Sequence, residues 1–384
     1  MTGLLENDPY GCFVGAPVVV PGAPGGIAIA IKDNIDIAGL PTGAGLGRPG
    51  LIALQDAAVI RLLRGAGATL IGKTRMDEAA LGGTGENPHH GRTENPRVPG
   101  CSPGGSSGGS AAALAAGYCS AALGTDTLGS VRIPAAYCGL VGLKPTRGRL
   151  PLDGIVPLSR TLDHLGIIAE SVDVAARTLA LIIGPSCEGD RGPPRVGVPD
   201  ALDVVATDPE VRAAFGTAMR RLAAGGWFVE RCRVTDWDPA KTRRAGLLLL
   251  EAEGAVEYEG LLTADDPALS AGLRKLLLFG RDCGTGRLVN ALHVLRYAAI
   301  GLRQVLRAYD LLALPTVPAP AFAWADGAPT NQADLTALPN FSGQPAVSVP
   351  RALPDGRPWG LQLIGHCGAD WPLLDAARAV EAMA

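Results

Sequence analysis

The sequence predicts an α/β fold, on three observations. Residues 195–198 read as a strand, 208–226 as a helix and 227–230 as a second strand, an order that builds sheets with covering helices. The same alternation occurs earlier, where a helix ending at Arg64 is followed by the apolar run Ala68-Thr69-Leu70-Ile71. Apolar residues make up 47% of the 384 residues and charged residues 18%, a balance that buries a sizeable core and argues against disorder.

Taken in order, residues 1–26 are rich in Gly and Pro and are expected to wrap the surface. The run Ile27-Ala28-Ile29-Ala30-Ile31 then makes a buried strand ending on Lys32. Asp56 is expected to cap a helix to Arg64, with Val59, Ile60, Leu62 and Leu63 as its apolar side and Gly65 or Gly67 as its stop. Residues 68–71 are a short buried strand, and 76–81 a short helix. Ser171 caps an amphipathic helix through Ile183, and 185–194 read as a turn-rich linker. Asp208-Pro209-Glu210 is a good helix entry and Gly225-Gly226 a good exit. Residues 239–308 are mainly helical, and their Arg274, Lys275, Arg281 and Arg287 read as a solvated basic face. Residues 311–314 and 347–349 are buried strands, and 372–383 a closing helix.

Composition excludes several classes. A net charge of −3 gives no long-range pull toward nucleic acid or an anionic membrane. No run of eighteen apolar residues suggests a membrane span, and the first residues lack the basic-then-apolar pattern of a secretory signal. The eight cysteines form no Cys-x-x-Cys pair, so buried reduced thiols and cytoplasmic residence are expected.

The chemistry concentrates between Gly104 and Gly148. Gly104-Gly105-Ser106-Ser107-Gly108-Gly109 opens onto a helix of small residues, and Gly124-Thr125-Asp126-Thr127-Leu128-Gly129-Ser130 is a tight polar loop after an apolar run. Each puts a serine where the backbone turns sharply, and turning backbone gathers N–H donors that can hold developing negative charge. A serine needs a base. None of His89, His90, His164, His293 and His366 sits in a recognisable triad context. Lys32, at the end of a buried strand, is the other candidate: desolvation that moves a lysine from about 10.4 to near 7 takes about 4 kcal/mol, which burial can supply.

These residues resemble the amidase signature family. Lys32 in IKDNID, Ser106 in SPGGSSGGSAAALAAG and Ser130 in LGTDTLGSVRIPAAYCGLVGLKPTRGRL carry the likeness, with the serines 24 residues apart as in that family. Residues 72–78, 162–166, 341–346 and 360–365 extend it, so it covers most of the chain, least recognisably over about 190–310. The resemblance implies a single domain over 1–384, with a mixed central sheet covered by helices on both faces. It implies a catalytic core at about 27–185 and 310–370 and a substrate-shaping region at about 190–310. It also implies a Ser-cisSer-Lys triad: Ser130 as nucleophile, Ser106 behind a cis peptide as proton relay, Lys32 as base. Backbone N–H groups of Thr127, Leu128, Gly129 and Ser130 would form the oxyanion hole. No metal or organic cofactor is implied. The partner is a small-molecule amide, and homodimers are common in the family. Where the family usually reads Gly-Gly-Ser, this chain has Leu128-Gly129-Ser130. The leucine must point away from the substrate or narrow the pocket, and a positive φ there would be strained.

Other patterns compete for the same residues. Gly67 to Thr74 matches a P-loop formally, but its interior is Ala-Thr-Leu-Ile, the strand itself, where a phosphate cradle needs a Gly-rich loop. Gly105 to Gly109 matches G-x-S-x-G around Ser107, yet prolines 99 and 103 stand where a central strand should lead in. Ser107 reads instead as the cap of a helix over 110–116. Asp126 and Arg132 read as a pair bracing the loop. His89 and His90 point apart in extended chain and make a poor metal site. The resemblance leaves the substrate open among aliphatic and aryl amides, fatty acid amides, ureides such as carboxybiuret or allophanate, and the glutamine used by the glutaminase component of a tRNA-dependent amidotransferase. Segments 85–91 and 95–96 and the Gly-Thr-Asp-Thr before Leu128 look closest to the ureide branch.

Overall fold

The computed structural model describes residues 8–186 and 192–383. These residues form an 11-stranded mixed sheet. In chain order its strands are β1 (Val19–Val20), β2 (Ala28–Lys32), β3 (Thr69–Thr74), β4 (Ala121–Asp126), β5 (Val141–Lys144), β6 (His164–Ala169), β7 (Arg195–Pro199), β8 (Phe228–Cys232), β9 (Leu311–Pro315), β10 (Ala346–Ala352) and β11 (Pro358–Ile364). They lie side by side as β1-β3-β2-β4-β6-β5-β10-β11-β9-β7-β8. β2 runs parallel to β3 and β4, and β7 parallel to β8 and β9. The pairs between β4 and β9 are antiparallel.

Side-chain alternation along the strands supplies two cores. Ile29 and Ile31 of β2 enter one buried cluster and Ala30 the other, and Leu123 against Ala122 and Ile167 against Ile168 divide the same way. Helices Ala58–Gly65, Val172–Ile183, Pro209–Ala224 and Asp370–Ala382 bury their apolar stripes in the first cluster, and Gly108–Ala115 lies in the second. Helices thus cover both faces of the sheet, as expected. Helices Pro239–Glu257, Ala271–Arg281 and Thr285–Val305 share a third cluster, which also takes in Leu128, Leu158 and Leu162.

Where local chemistry decides, the elements stand as predicted. Ser171 accepts the Val174 N–H at 3.2 Å and starts the helix ending at Ile183. Asp208 Oδ1 accepts the N–H groups of Glu210 at 2.8 Å and Val211 at 3.2 Å, and the helix runs to Ala224 with Gly225 beyond it.

Other expectations need correction. Asp56 does not cap its helix: Oδ1 accepts the Ala38 N–H at 2.8 Å and Oδ2 pairs with Arg64 at 2.7 Å. Leu62 lies on the exposed side of that helix. The helix expected over 76–81 is a single 3-10 turn, Glu78–Ala80, because Ala79 (φ 51°) and Ala80 (φ 60°) are left-handed. The strand expected at 68–71 runs on to Thr74 and carries the buried Lys73 and Thr74. The N-terminal segment is more than a surface wrap, since Cys12 and Phe13 are buried and Val19 pairs with Ile71. Arg274 is structural, donating to the carbonyls of Leu262 and Asp266. Among the described cysteines none is in a disulfide; Cys12, Cys119, Cys138 and Cys232 are buried, but Cys367 is exposed. Part of the linker expected over 185–194 lies outside the described residues.

Removing the Asp208 cap tests the helix reading. Asp208→Ala is expected to destabilise the fold by about 1 kcal/mol. That is a fall of on the order of 2 °C in thermal melting, with catalysis unchanged. An unchanged melting temperature would contradict it.

Candidate active site

β2 ends on Lys32 and β4 ends on Asp126, so these parallel neighbours deliver their last residues to one edge of the sheet. The helix Gly108–Ala115 is tied beneath them by Ser110 Oγ, which is 2.7 Å from Thr74 Oγ1 and donates to the Leu123 carbonyl at 3.0 Å. The Gly105–Ser106 peptide leading into it is cis. Ser107 is the first flanking residue of this helix but not a side-chain cap; its Oγ donates to the Thr125 carbonyl at 3.3 Å.

Lys32 is fully buried. Its Nζ donates to Ser106 Oγ at 2.8 Å and to Thr125 Oγ1 at 2.8 Å. Burial lowers its pKa to about 7, against the opposing charges of Asp77, Asp163 and Asp126. Ser130 follows β4 by four residues, and the Ser107 N–H donates to the Ser130 carbonyl at 3.2 Å, which binds the two serine loops to each other through backbone. Lys32, Ser106 and Ser130 therefore converge from three separate segments.

The loop before Ser130 is held by a buried polar hub. Asp126 Oδ1 accepts the Gly129 N–H at 2.8 Å and the Arg132 guanidinium at 2.9 Å. Arg132 also donates to Gln362 Oε1 at 2.7 Å, Asn340 Oδ1 at 2.6 Å and the Thr336 carbonyl at 2.9 Å. Asn340 Nδ2 returns to the Asp126 carbonyl at 2.7 Å. Burial opposes the charge on Asp126, but Arg132 and Asn340 outweigh it and hold the carboxyl well below the usual range. The bracing role expected for Asp126 and Arg132 is what the geometry gives. Leu128 does not take a positive φ; Gly129 does (φ 130°), and a Cβ there would lie 2.3 Å from Thr336 Oγ1. The Gly129 N–H, expected among the oxyanion donors, is turned to Asp126 instead.

A cavity of about 220 Å³ opens beside Ser130. Gly105, Thr127 and Leu128 form one wall, and Arg243, Leu247 and Leu250 of the helix Pro239–Glu257 the other. Arg243 Nε is 2.6 Å from Asp334. Larger grooves of about 960 Å³ lie away from these residues, one by Trp237 and His293 and one by Arg351 and Trp359. His89 and His90 do not reach the site: their Nε2 atoms lie 3.1 Å from Glu78 Oε1 and from the Leu46 carbonyl. No group of three or more His, Cys, Asp or Glu side chains among the described residues could hold a metal ion.

Sequence reasoning missed several supporting residues. Thr125 binds the lysine, and Asp163 accepts Thr127 Oγ1 at 2.7 Å with the N–H groups of Leu158 and Ser159 on its other oxygen. Asp77 is buried and receives the Thr84 and Gly85 N–H groups. Thr125 falls in the stretch expected to be a polar loop from Gly124 to Ser130, but Gly124 to Asp126 belong to β4, so the loop starts only at Thr127; its place in that polar stretch was the available signal. Asn340 and Asp334 carried no local signal at all.

An edge of a mixed sheet that gathers a buried lysine and two loop serines defines a hydrolase-like site. The Amidase family profile matches residues 23–374, and the chain belongs to that family. It is 35% identical to a glutamyl-tRNA(Gln) amidotransferase component from Symbiobacterium thermophilum over 403 aligned positions, covering 93% of this chain and 82% of that protein. Among solved structures it resembles a crystal structure of an amidase (TM-score 0.86, 35% identity, 93% of this chain and 84% of the other). It also resembles 6-aminohexanoate cyclic dimer hydrolase in complex with substrate (TM-score 0.84, 29% identity, 94% and 86%).

The hub sets an expectation. Asp126→Ala leaves Arg132 buried without its anion, a loss of about 3–5 kcal/mol. Denaturant unfolding should show it, together with lost activity. A cost under about 1 kcal/mol would contradict the bracing role.

Proposed function

We propose that this amidase-family enzyme cleaves the C–N bond of a small amide through an acyl-enzyme on Ser130. The observation that carries the reading is the buried Lys32, with its pKa near 7, hydrogen-bonded to Ser106 Oγ at 2.8 Å. A lysine that is neutral at working pH accepts a proton, which an ordinary surface lysine cannot do. Ser130 Oγ attacks the amide carbon and passes its proton to Ser106 Oγ, whose own proton moves to Lys32 Nζ. The carbonyl oxygen gains the negative charge, and the N–H groups of Thr127, Leu128 and Ser130 receive it. The C–N bond breaks as the relay returns the proton to the leaving nitrogen. Water then attacks the ester and gives its proton to the same relay, which passes it on to Ser130 Oγ as the acid leaves. Side chains and water suffice for every step.

In this reading the segments 27–185 and 310–370 form the catalytic core, and the helices over 239–305 shape the substrate pocket. Cytoplasmic residence accords with the unpaired cysteines among the described residues. No helix among the described residues is long and apolar enough to cross a membrane. A homodimer is proposed on the family resemblance alone. A second reading, the glutaminase component of a tRNA-dependent amidotransferase, is favoured by the name of the Symbiobacterium relative. Glutamine hydrolysis that appears only with a copurifying partner would support it over the first.

Lys32→Ala and Ser130→Ala are expected to abolish ammonia release, and Ser106→Ala to reduce it severely. Near wild-type turnover in Ser130→Ala would refute the nucleophile assignment. The pH dependence has a definite sign. The base must be neutral, so kcat/KM should fall as pH drops below about 7. A profile flat from pH 5 to 8 would argue against Lys32.

A further inference from the structure

Leu128 stands two residues before Ser130, and its side chain is only 7% exposed. Thr336 Oγ1 donates to its carbonyl at 2.6 Å, so the backbone that aims it is fixed. The side chain crosses to the helix Pro239–Glu257, where a Cβ built on Gly246 would lie 2.8 Å from Leu128 Cδ2 and 3.6 Å from Cδ1. A glycine inside a 19-residue helix lowers helix propensity. Here its missing side chain is the notch that admits Leu128. Leu247 and Leu250, one position and one turn further on, line the same cavity, and Leu158 and Ile133 are part of its apolar wall.

Size and charge both limit what fits. The cavity of about 220 Å³ is smaller than the roughly 300–1,000 Å³ of pockets that take drug-sized ligands. Arg243 is the charged side chain among the residues lining it, and Asp334 at 2.6 Å compensates that charge. A substrate carboxylate entering here would compete with Asp334 for a guanidinium that is already satisfied.

We propose that Leu128, wedged into the Gly246 notch, is a specificity-determining residue that restricts the site to short, uncharged amides. The proposal rests on the amide-hydrolase reading above. Shortening Leu128 removes the wall beside Ser130 while leaving its backbone N–H in place. Long acyl groups then gain more than short ones.

The test measures kcat/KM for propionamide, hexanamide and the anion succinamate in wild type, Leu128→Ala and the double variant Leu128→Ala with Gly246→Ala. Wild type should favour propionamide over hexanamide by at least about tenfold, since one methylene in a tight pocket is worth roughly 10- to 200-fold. Leu128→Ala should reduce that preference by about tenfold or more, with succinamate poor throughout. The double variant refills the notch and should recover thermal stability while keeping the relaxed preference. An unchanged preference in folded Leu128→Ala, or succinamate as the best substrate, overturns the proposal.

Labelling of Ser130 by short- and long-chain alkyl fluorophosphonates separates the two readings. If wild type releases ammonia from none of the amides but Ser130 is labelled, the amide reading falls alone. Discrimination between the probes that relaxes in Leu128→Ala then upholds the wall, and unchanged discrimination removes it. No labelling of Ser130 by either probe removes both.

Discussion

Everything at the site depends on keeping water away from one ammonium group. Lys32 is fully buried, and burial brings its pKa to about 7. Between pH 7 and about 10.4 the unfolded chain holds a proton on this lysine that the folded chain has released, so stability rises with pH through that window. Below pH 7 the folded protein carries the whole cost, about 4–5 kcal/mol. The hydrogen bonds to Ser106 and Thr125 and the charges of Asp77, Asp163 and Asp126 offset part of it, which keeps the lysine near neutrality instead of far below. The energy spent on the lysine is what fits it for the base role proposed for it.

A poised base is useful only if the loop beside it stays still. The Asp126–Arg132 hub does this by drawing on residues far apart in the chain: Thr336, Asn340 and Gln362 all bind Arg132. One consequence is that the Ser130 loop is fixed from the C-terminal part of the sheet, β11 included. Another is that the Gly129 N–H is committed to Asp126, so the donors proposed to hold the oxyanion are those on either side of it. Preorganised donors cost no reorganisation when the oxyanion forms.

Much of this was legible in the sequence, for identifiable reasons. Local rules fixed Ser171 and Asp208 as caps and 27–31 as the strand ending on Lys32, because caps and apolar runs act over a few residues. Lys32, Ser106 and Ser130 stood out because their spacing and flanking glycines resemble a family pattern, and the folded chain puts Lys32 on Ser106. Asp56 failed as a cap because a tertiary partner, the Ala38 N–H, took its carboxylate. The turn at 78–80 failed because left-handed alanines are imposed by packing, and alanine gives no local sign of it. Asn340 lies 214 residues from Asp126, a contact that only the folded sheet creates. Gly246 gives no local sign of its contact with Leu128, which lies 118 residues earlier.

The central claim is that Lys32 is neutral at working pH, and its own titration tests this most directly. Carbon-13 NMR of the lysine side-chain carbons over pH 5 to 11, with the Lys32→Met variant to assign the signal and separate it from the also-buried Lys73 and Lys144, would follow the proton. The account predicts a midpoint near 7 for the resonance lost in the variant. A midpoint above 10 would mean a lysine charged at neutral pH, and the relay through Ser106 to Ser130 would have no base.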